Sequence, residues 1–132
     1  MAKLIRCFQD LVVWQRSMDL IDDVERIVEL LTPHQRWWLG TQMLRAALSI
    51  ASNIAEGHDA EYPMLYLRRL SDARGSTREV HTPLLVARRR KNVAPSETEI
   101  ALRYTAEIGR MLRSLSNRIR ARSRRERNPP NS

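Results

Sequence analysis

Cysteine is almost absent from this chain of 132 residues, which contains one thiol, Cys7. A single cysteine excludes an internal disulfide framework and a zinc site built on cysteines, and it fits a reducing compartment. Glycine is also scarce, with four residues, and no segment reads as a strand. The N-terminus lacks an apolar run of signal-peptide length, and no run reaches the roughly 18 apolar residues of a membrane span. We therefore expect a cytoplasmic protein that does not enter the membrane.

Patterns that would support catalysis are missing as well. Helical bundles hold di-metal sites on inward-facing Glu-x-x-His pairs, and the chain contains none. His34, His58 and His81 are isolated from one another in the sequence. No glycine-rich phosphate loop, nucleophile elbow or zinc-ligand spacing occurs. We expect a non-enzymatic protein without a metal or a cofactor.

Apolar residues recur at spacings of three and four along four segments, which is the pattern of amphipathic helices. Asp10 and Ser96 are the predicted N-caps of the first and the fourth helix, and Gly57 is the predicted C′ residue of the second. Pro83 should kink the third helix or leave a gap in its hydrogen bonds. The predicted helices cover residues 10–31, 35–56, 61–89 and 96 onward. Four long helices with short connections predict an all-α fold, an antiparallel up-down-up-down four-helix bundle.

The second predicted helix has more apolar surface than one contact requires. Its apolar side chains cover about 200° of the circumference, whereas a helix seated on its own core needs a stripe of about 100°. We expect one part of this surface to meet another copy of the chain, which predicts a ring oligomer. For Trp38, packing against its own bundle and stacking on a nucleobase remain open alternatives. The predicted oligomer interface consists of Trp38, Leu44, Leu48, Ala51 and Ala55.

Positive charge is concentrated at the C-terminal end. Residues 1–109 contain 15 Lys and Arg against 14 Asp and Glu, a net of +1, whereas residues 110–132 contain 8 Arg and one acid, a net of +7. The fourth apolar stripe ends near Ile119. We therefore predict a bundle over residues 1–119 and a basic tail over residues 120–132.

In the predicted topology, the end of the fourth helix lies beside the start of the third. Clustered arginines attract polyanions through counterion release, although a solvated tail that aids solubility remains an alternative. The run 88–91 lies at the opposite end, where it is either a favourable cation placement at a helix C-terminus or a second polyanion contact. The candidate nucleic-acid-binding residues are Arg68, Arg69, Arg118, Arg120, Arg122, Arg124, Arg125 and Arg127.

Three segments resemble a known family when they are read together and in order. These are Phe8-Gln9-Asp10-Leu11-Val12-Val13-Trp14-Gln15, the stretch from Arg45 to Gly57 that ends Asn-Ile-Ala-Glu-Gly, and Ala73-Arg74-Gly75-Ser76-Thr77-Arg78-Glu79. The chain resembles the four-helix-bundle proteins called 23S rRNA intervening-sequence proteins, which are related to the accessory variability proteins of diversity-generating retroelements.

The resemblance implies a non-enzymatic bundle that assembles as a ring, commonly a homopentamer. In retroelement relatives, it implies binding to RNA or DNA and association with a reverse transcriptase. Two features depart from the family pattern: Pro83 lies in the third helix, and the loop 58–61 is less basic than in relatives. The leading hypothesis is a homo-oligomeric accessory protein that binds nucleic acid without base specificity. The alternative is a structural or protein-interaction ring that does not bind nucleic acid.

Overall fold

The protein is a bundle of four long helices. The computed structural model describes residues 4–91 and 93–130, and every regular element within them is helical. A 3₁₀ turn, Phe8–Asp10, precedes the first helix. The four helices are α1 (Val12–Leu30), α2 (Thr41–His58), α3 (Pro63–Arg89) and α4 (Pro95–Arg127). The predicted all-α class is confirmed.

The helices pack in cyclic order. Contacts join α1 to α2, α2 to α3, α3 to α4 and α4 to α1, whereas within the described residues the Cα atoms of diagonal helices stay more than 8 Å apart. Short connections between successive helices make the order up-down-up-down, as predicted. Fully buried side chains from all four helices form the core, among them Leu20, Ile27, Ile50, Ile54, Leu70, Leu84, Ile108 and Leu112.

Most of the apolar surface of α2 is covered by other residues of the same subunit. Met43, Ile50 and Ile54 are fully buried, and Ala51 is 4% exposed. A helix in this bundle faces the core and also two neighbours, so the buried arc is wider than that of a helix seated on a single surface. Leu48, 60% exposed, is the large apolar residue of α2 that its own subunit leaves uncovered.

α2 and α3 approach each other closely at Gly57. A Cβ atom at this position would lie 2.8 Å from Cδ1 of Tyr66 and 3.0 Å from Cβ of Arg69. The predicted role of Gly57 as a C′ residue is wrong, because α2 continues to His58 and ends at Asp59 in the right-handed region. Glycine is required here for close packing of two helices, not for a left-handed turn.

Two predicted N-caps are also wrong. Asp10 lies in the 3₁₀ turn, where its Oδ2 accepts a hydrogen bond from the Arg6 backbone N–H at 2.8 Å, and Leu11 is the N-cap of α1. Ser96 lies inside α4, which begins at Pro95 after the N-cap Ala94. Proline is favoured in the first turn because its missing N–H would be unpaired there, and this starts α4 one residue before the predicted cap.

A wide turn precedes α2 and changes its register. A short α-helical turn, Pro33–Gln35, leads into a π-helical turn, Arg36–Gly40. A π turn rotates the chain less per residue than an α-helix. A helical wheel drawn at 100° per residue from α2 therefore gives the wrong directions for the side chains of Trp37 and Trp38. Trp37 is 76% exposed, whereas Trp38 is half-buried and packs against the core.

α3 continues as one helix through Pro83, which is buried. Proline has no N–H, so one hydrogen bond of the helix is necessarily missing there. α4 likewise continues beyond Ile119 to Arg127. The proposed boundary between a bundle (1–119) and a tail (120–132) therefore falls within a helix and stays a prediction.

Gly57→Ala should destabilise the protein, whereas Gly75→Ala should stabilise it. The new methyl group at residue 57 overpacks the contact between α2 and α3, at a cost of about 1–3 kcal/mol. At Gly75 an added Cβ meets nothing within 4 Å, so alanine contributes about 0.5–1 kcal/mol through helix propensity. Urea unfolding followed by circular dichroism measures both changes. Equal midpoints for the two variants would contradict the close approach at Gly57.

Candidate nucleic-acid interface

Antiparallel packing places the end of α4 beside the start of α3. Arg68 of α3 lines one groove together with Arg120, Arg124 and Arg127 of α4. We call these four residues the terminal cluster. The lining of the groove also includes the apolar side chains of Met64, Leu65 and Leu67. The structure thus brings together four of the eight arginines that the sequence selects.

Three other selected arginines lie on the opposite flank of α4. Arg118, Arg122 and Arg125 line a neighbouring groove with Tyr66 and the N-terminal segment. Burial raises the pKa of Tyr66, and the nearby positive charge of Arg118 opposes this rise. The basic end of α4 therefore has two faces, each of which presents at least three guanidinium groups.

Arg69 does not join either group. Its Nε lies 3.4 Å from Oε2 of Glu56 in α2, and its Nη1 lies 3.8 Å from Oδ2 of Asp72. These half-exposed ion pairs neutralise its charge locally, and pairs of this kind contribute little to stability. The structure therefore separates Arg69 from Arg68, although the two are adjacent in sequence.

Ion pairing divides the arginines of the bundle into two classes. On the flank of α1 that faces α4, Arg16 pairs with Asp19 and Glu107, and Arg26 pairs with Asp23 and Glu97. The charge of Glu107 and the hydrogen bond to Asp19 raise the pKa of Arg16. In contrast, none of the terminal cluster forms an ion pair within the described residues, and residues 110–132 contain a single acid, Glu126.

Four further arginines converge at a place that the sequence did not indicate. Arg74 and Arg78 of α3 face Arg110 and Arg113 of α4 across a groove that we call the central groove. The sequence contains this signal as two pairs on antiparallel helices: Arg74 and Arg78 are spaced i,i+4 on α3, and Arg110 and Arg113 are spaced i,i+3 on α4. Only the register between α3 and α4, which the sequence does not specify, shows that the pairs meet.

The predicted oligomer residues differ in their accessibility. Leu48 is exposed, Leu44, Ala55 and Trp38 are half-buried, and Ala51 is buried in its own subunit. Nε1 of Trp38 is buried and has no hydrogen-bond partner within the described residues. Trp37, which is not among the residues selected from the sequence, is the more exposed of the two indoles. The contact of the selected residues with another copy stays a prediction.

The described residues offer no obvious site for a metal ion. No group of three or more His, Cys, Asp or Glu side chains in residues 4–91 and 93–130 is placed to bind one. Across the same residues, no helix combines the length and the apolar character needed to cross a membrane.

Comparison with known proteins identifies the family. The family model described as "23S rRNA-intervening sequence protein" matches residues 9–114. The chain belongs to this family. The resemblance stated from the three sequence motifs is thereby confirmed, and the family match spans all of α1, α2 and α3 and the larger part of α4. Among the curated proteins, none matches the chain.

A solved structure shares the fold of this 23S rRNA-intervening sequence protein. It is the crystal structure of a protein with unknown function from the S23 ribosomal protein family of Bacteroides thetaiotaomicron. The TM-score is 0.74 at 22% sequence identity, and the alignment covers 80% of this chain and 98% of the other. At this identity, the likeness shows the fold alone.

The family match and the basic residues overlap only in part. The match ends at residue 114, so it includes the central groove and Arg68 but not the arginines from 118 to 127. The most basic segment of this family member thus lies outside the part of the chain that the family model matches.

Proposed function

We propose that this protein is a non-enzymatic homo-oligomer that binds RNA or DNA through clustered arginines, without base specificity, as an accessory to a larger nucleoprotein assembly. The observation that carries the proposal is the convergence of arginines without ion pairs on α3 and α4 within the described residues. Guanidinium groups that no carboxylate neutralises attract the phosphate backbone of a nucleic acid. Phosphate contacts of this kind position a ligand but do not read its sequence.

The family match supports the proposal through its printed description, which refers to 23S rRNA. The motif resemblance adds a pentameric ring and a retroelement reverse transcriptase as expected partners. The same resemblance and the single cysteine favour a cytoplasmic protein. Binding of a reverse transcriptase is the most specific part of the proposal, and co-purification with the enzyme of a neighbouring retroelement would test it.

Ring assembly draws its support from α2. Leu48 is exposed on this helix, and Trp37 is exposed on the π-helical turn that precedes it. A contact with another copy of the chain would cover these two side chains. An oligomer would also multiply the number of arginine clusters on one particle, which raises the avidity for a long polyanion without any new contact.

Neutralising the terminal cluster should weaken binding and flatten its salt dependence. We expect a variant with Gln in place of Arg68, Arg120, Arg124 and Arg127 to bind duplex DNA at least about tenfold more weakly at ~0.15 M salt. The slope of log affinity against log salt should fall by about 0.9 for each phosphate that the variant no longer neutralises. Fluorescence anisotropy with random-sequence duplexes measures both quantities. Substitution is preferred to truncation after residue 117 because Ile119 packs against the core.

The matched control removes the same number of charges elsewhere. Arg88, Arg89, Arg90 and Lys91 are exposed at the opposite end of α3 and line neither basic groove. We assign them to the favourable placement of cations at a helix C-terminus, so their replacement by Gln should leave binding within about twofold. If the wild-type protein does not bind RNA or DNA at ~0.15 M salt, nucleic-acid binding is refuted, and the structural or protein-interaction ring is then the better description. Equal reductions in affinity for the two variants would show that net charge, not a cluster, determines binding.

Leu48→Glu should dissociate the oligomer. Because Leu48 is 60% exposed in the subunit, a charge there should cost the fold less than about 1 kcal/mol, whereas a charge buried against another copy is strongly unfavourable. Sedimentation velocity should show an oligomer for the wild type and a single subunit for this variant. Ile100→Glu, at a residue of α4 that is 49% exposed, should remain oligomeric. Single wild-type subunits at micromolar concentration would refute the ring.

A further inference from the structure

The central groove is a second basic surface, and it lies on the folded body of the bundle. Arg74 and Arg78 line it from α3, and Arg110 and Arg113 line it from α4. The two helices pack directly against each other, so the two pairs of guanidinium groups flank one shallow channel. All four positions lie well inside the helices, which fixes their spacing more firmly than a position near a helix end would.

The charge of the central groove is not compensated. No acidic residue lines it, and none of its four arginines forms an ion pair within the described residues. Of the acids close to these arginines in sequence, Glu107 pairs with Arg16 of α1 and Asp72 pairs with Arg69. Glu79 lies beside Arg78 in an adjacent groove and does not line the central groove. Four like charges held around one channel repel one another, and a bound anion would relieve this repulsion.

The chemistry of the groove favours a phosphate backbone over exposed bases. Its lining contains no Phe, Tyr or Trp, and its imidazole, His81, is half-buried with Nδ1 3.0 Å from Oγ1 of Thr105. The groove therefore lacks the exposed stacking platforms of proteins that bind single strands through their bases. The planar guanidinium group, in contrast, matches the geometry of a phosphate. The floor includes Ala106 and Gly109, and an added Cβ at Gly109 would meet nothing within 4 Å. A ligand backbone can therefore approach α4 closely.

The central groove and the terminal cluster lie on one side of α4. On a helix of 100° per residue, Arg110, Arg113, Arg120, Arg124 and Arg127 fall within about 100° of the circumference. A further shallow surface on α4 begins at Arg110 and Arg113 and extends through Asn117 to Ala121, in the direction of the C-terminal end of the helix. From Arg110 to Arg127 the helix rises by about 26 Å, which corresponds to about 8 base pairs of duplex at 3.4 Å per pair.

We propose that the central groove binds the phosphodiester backbone of a nucleic-acid duplex, and that it forms one continuous binding surface with the terminal cluster along α3 and α4. This inference rests on the proposed nucleic-acid binding and extends it to residues 74–113, which lie within the family match and not in the arginine-rich end. In the alternative case, in which the central groove does not bind, a duplex would contact only the terminal cluster.

A second copy of this chain is the competing occupant. Asp22, Glu25 and Glu29 lie exposed on α1 and form no ion pair within the described residues. An acidic face of this kind could dock on the central groove of another subunit through charge complementarity. The groove has no large apolar side chain to anchor such a contact, which is why a duplex fits it better.

The test compares three variants that each lack four positive charges through substitution by Gln. One changes Arg74, Arg78, Arg110 and Arg113, the second changes the terminal cluster, and the third changes residues 88–91 as a control. The probes are random-sequence DNA duplexes of about 6 and about 16 base pairs, shorter and longer than the ~26 Å surface. Anisotropy over a salt series gives affinity and slope, sedimentation velocity gives the oligomeric state, and circular dichroism reports whether each variant is folded.

The central-groove variant should bind the longer duplex at least about tenfold more weakly than the wild type, with a slope reduced by about 0.9 for each phosphate left without its arginine. The reduction should be smaller on the shorter duplex, which cannot contact the full ~26 Å surface from Arg110 to Arg127 at once. If the wild type binds and the central-groove variant is weakened no more than the control, this inference fails and the proposed function survives. If that variant changes oligomeric state but not affinity, the groove holds a second subunit. Absence of wild-type binding would overturn both proposals.

Discussion

The direction in which α3 and α4 run past each other is the constraint on which the rest of the structure depends. Because the helices are antiparallel, the arginine-rich end of α4 lies beside Arg68 at the start of α3, and the middle of α4 faces Arg74 and Arg78. A parallel pair would place the end of α4 beside residues 88–91 instead. The same charges would then form a different surface, so the arrangement of the helices, more than composition, creates the candidate interface.

Much of the fold follows from the sequence because helix periodicity and helix-terminating residues are local signals. The four apolar stripes, the connection at Pro33 and the end of α3 at Arg89 could all be predicted. The errors at Asp10 and Gly57 arise where a residue suited to a cap serves another purpose, and the error at Ser96 arises because Pro95 starts α4 one residue earlier. Thr32 was a missed cap, since its side chain and that of Gln35 form a capping box with two hydrogen bonds of 3.2 Å. Cap preferences are local, whereas the contacts of Gly57 with Tyr66 and Arg69 join two helices.

The candidate interface could be predicted only in part, for a different reason. Helix order sufficed to bring Arg68 close to Arg124, but the side of α3 on which each arginine lies depends on helix rotation. Arg69 faces α2 and is paired with Glu56, whereas Arg74 and Arg78 face α4. One residue changes the direction of a side chain by about 100°, so adjacent arginines have different partners. The π-helical turn before α2 likewise changes the directions in which the side chains of Trp37 and Trp38 point.

The length of α4 has a thermodynamic consequence. From residue 120 to residue 130 the side chains are exposed apart from Ser123, which is half-buried, so little hydrophobic burial stabilises this last stretch. Arg118 and Arg122, and likewise Arg120 and Arg124, are like charges one helical turn apart, each pair costing about 0.2–0.5 kcal/mol. Counterions or a polyanion would screen this repulsion, and the helicity of the α4 segment beyond Ile119 would rise with ionic strength. The local folding free energy of the α4 segment beyond Ile119 would then depend on the anions around it.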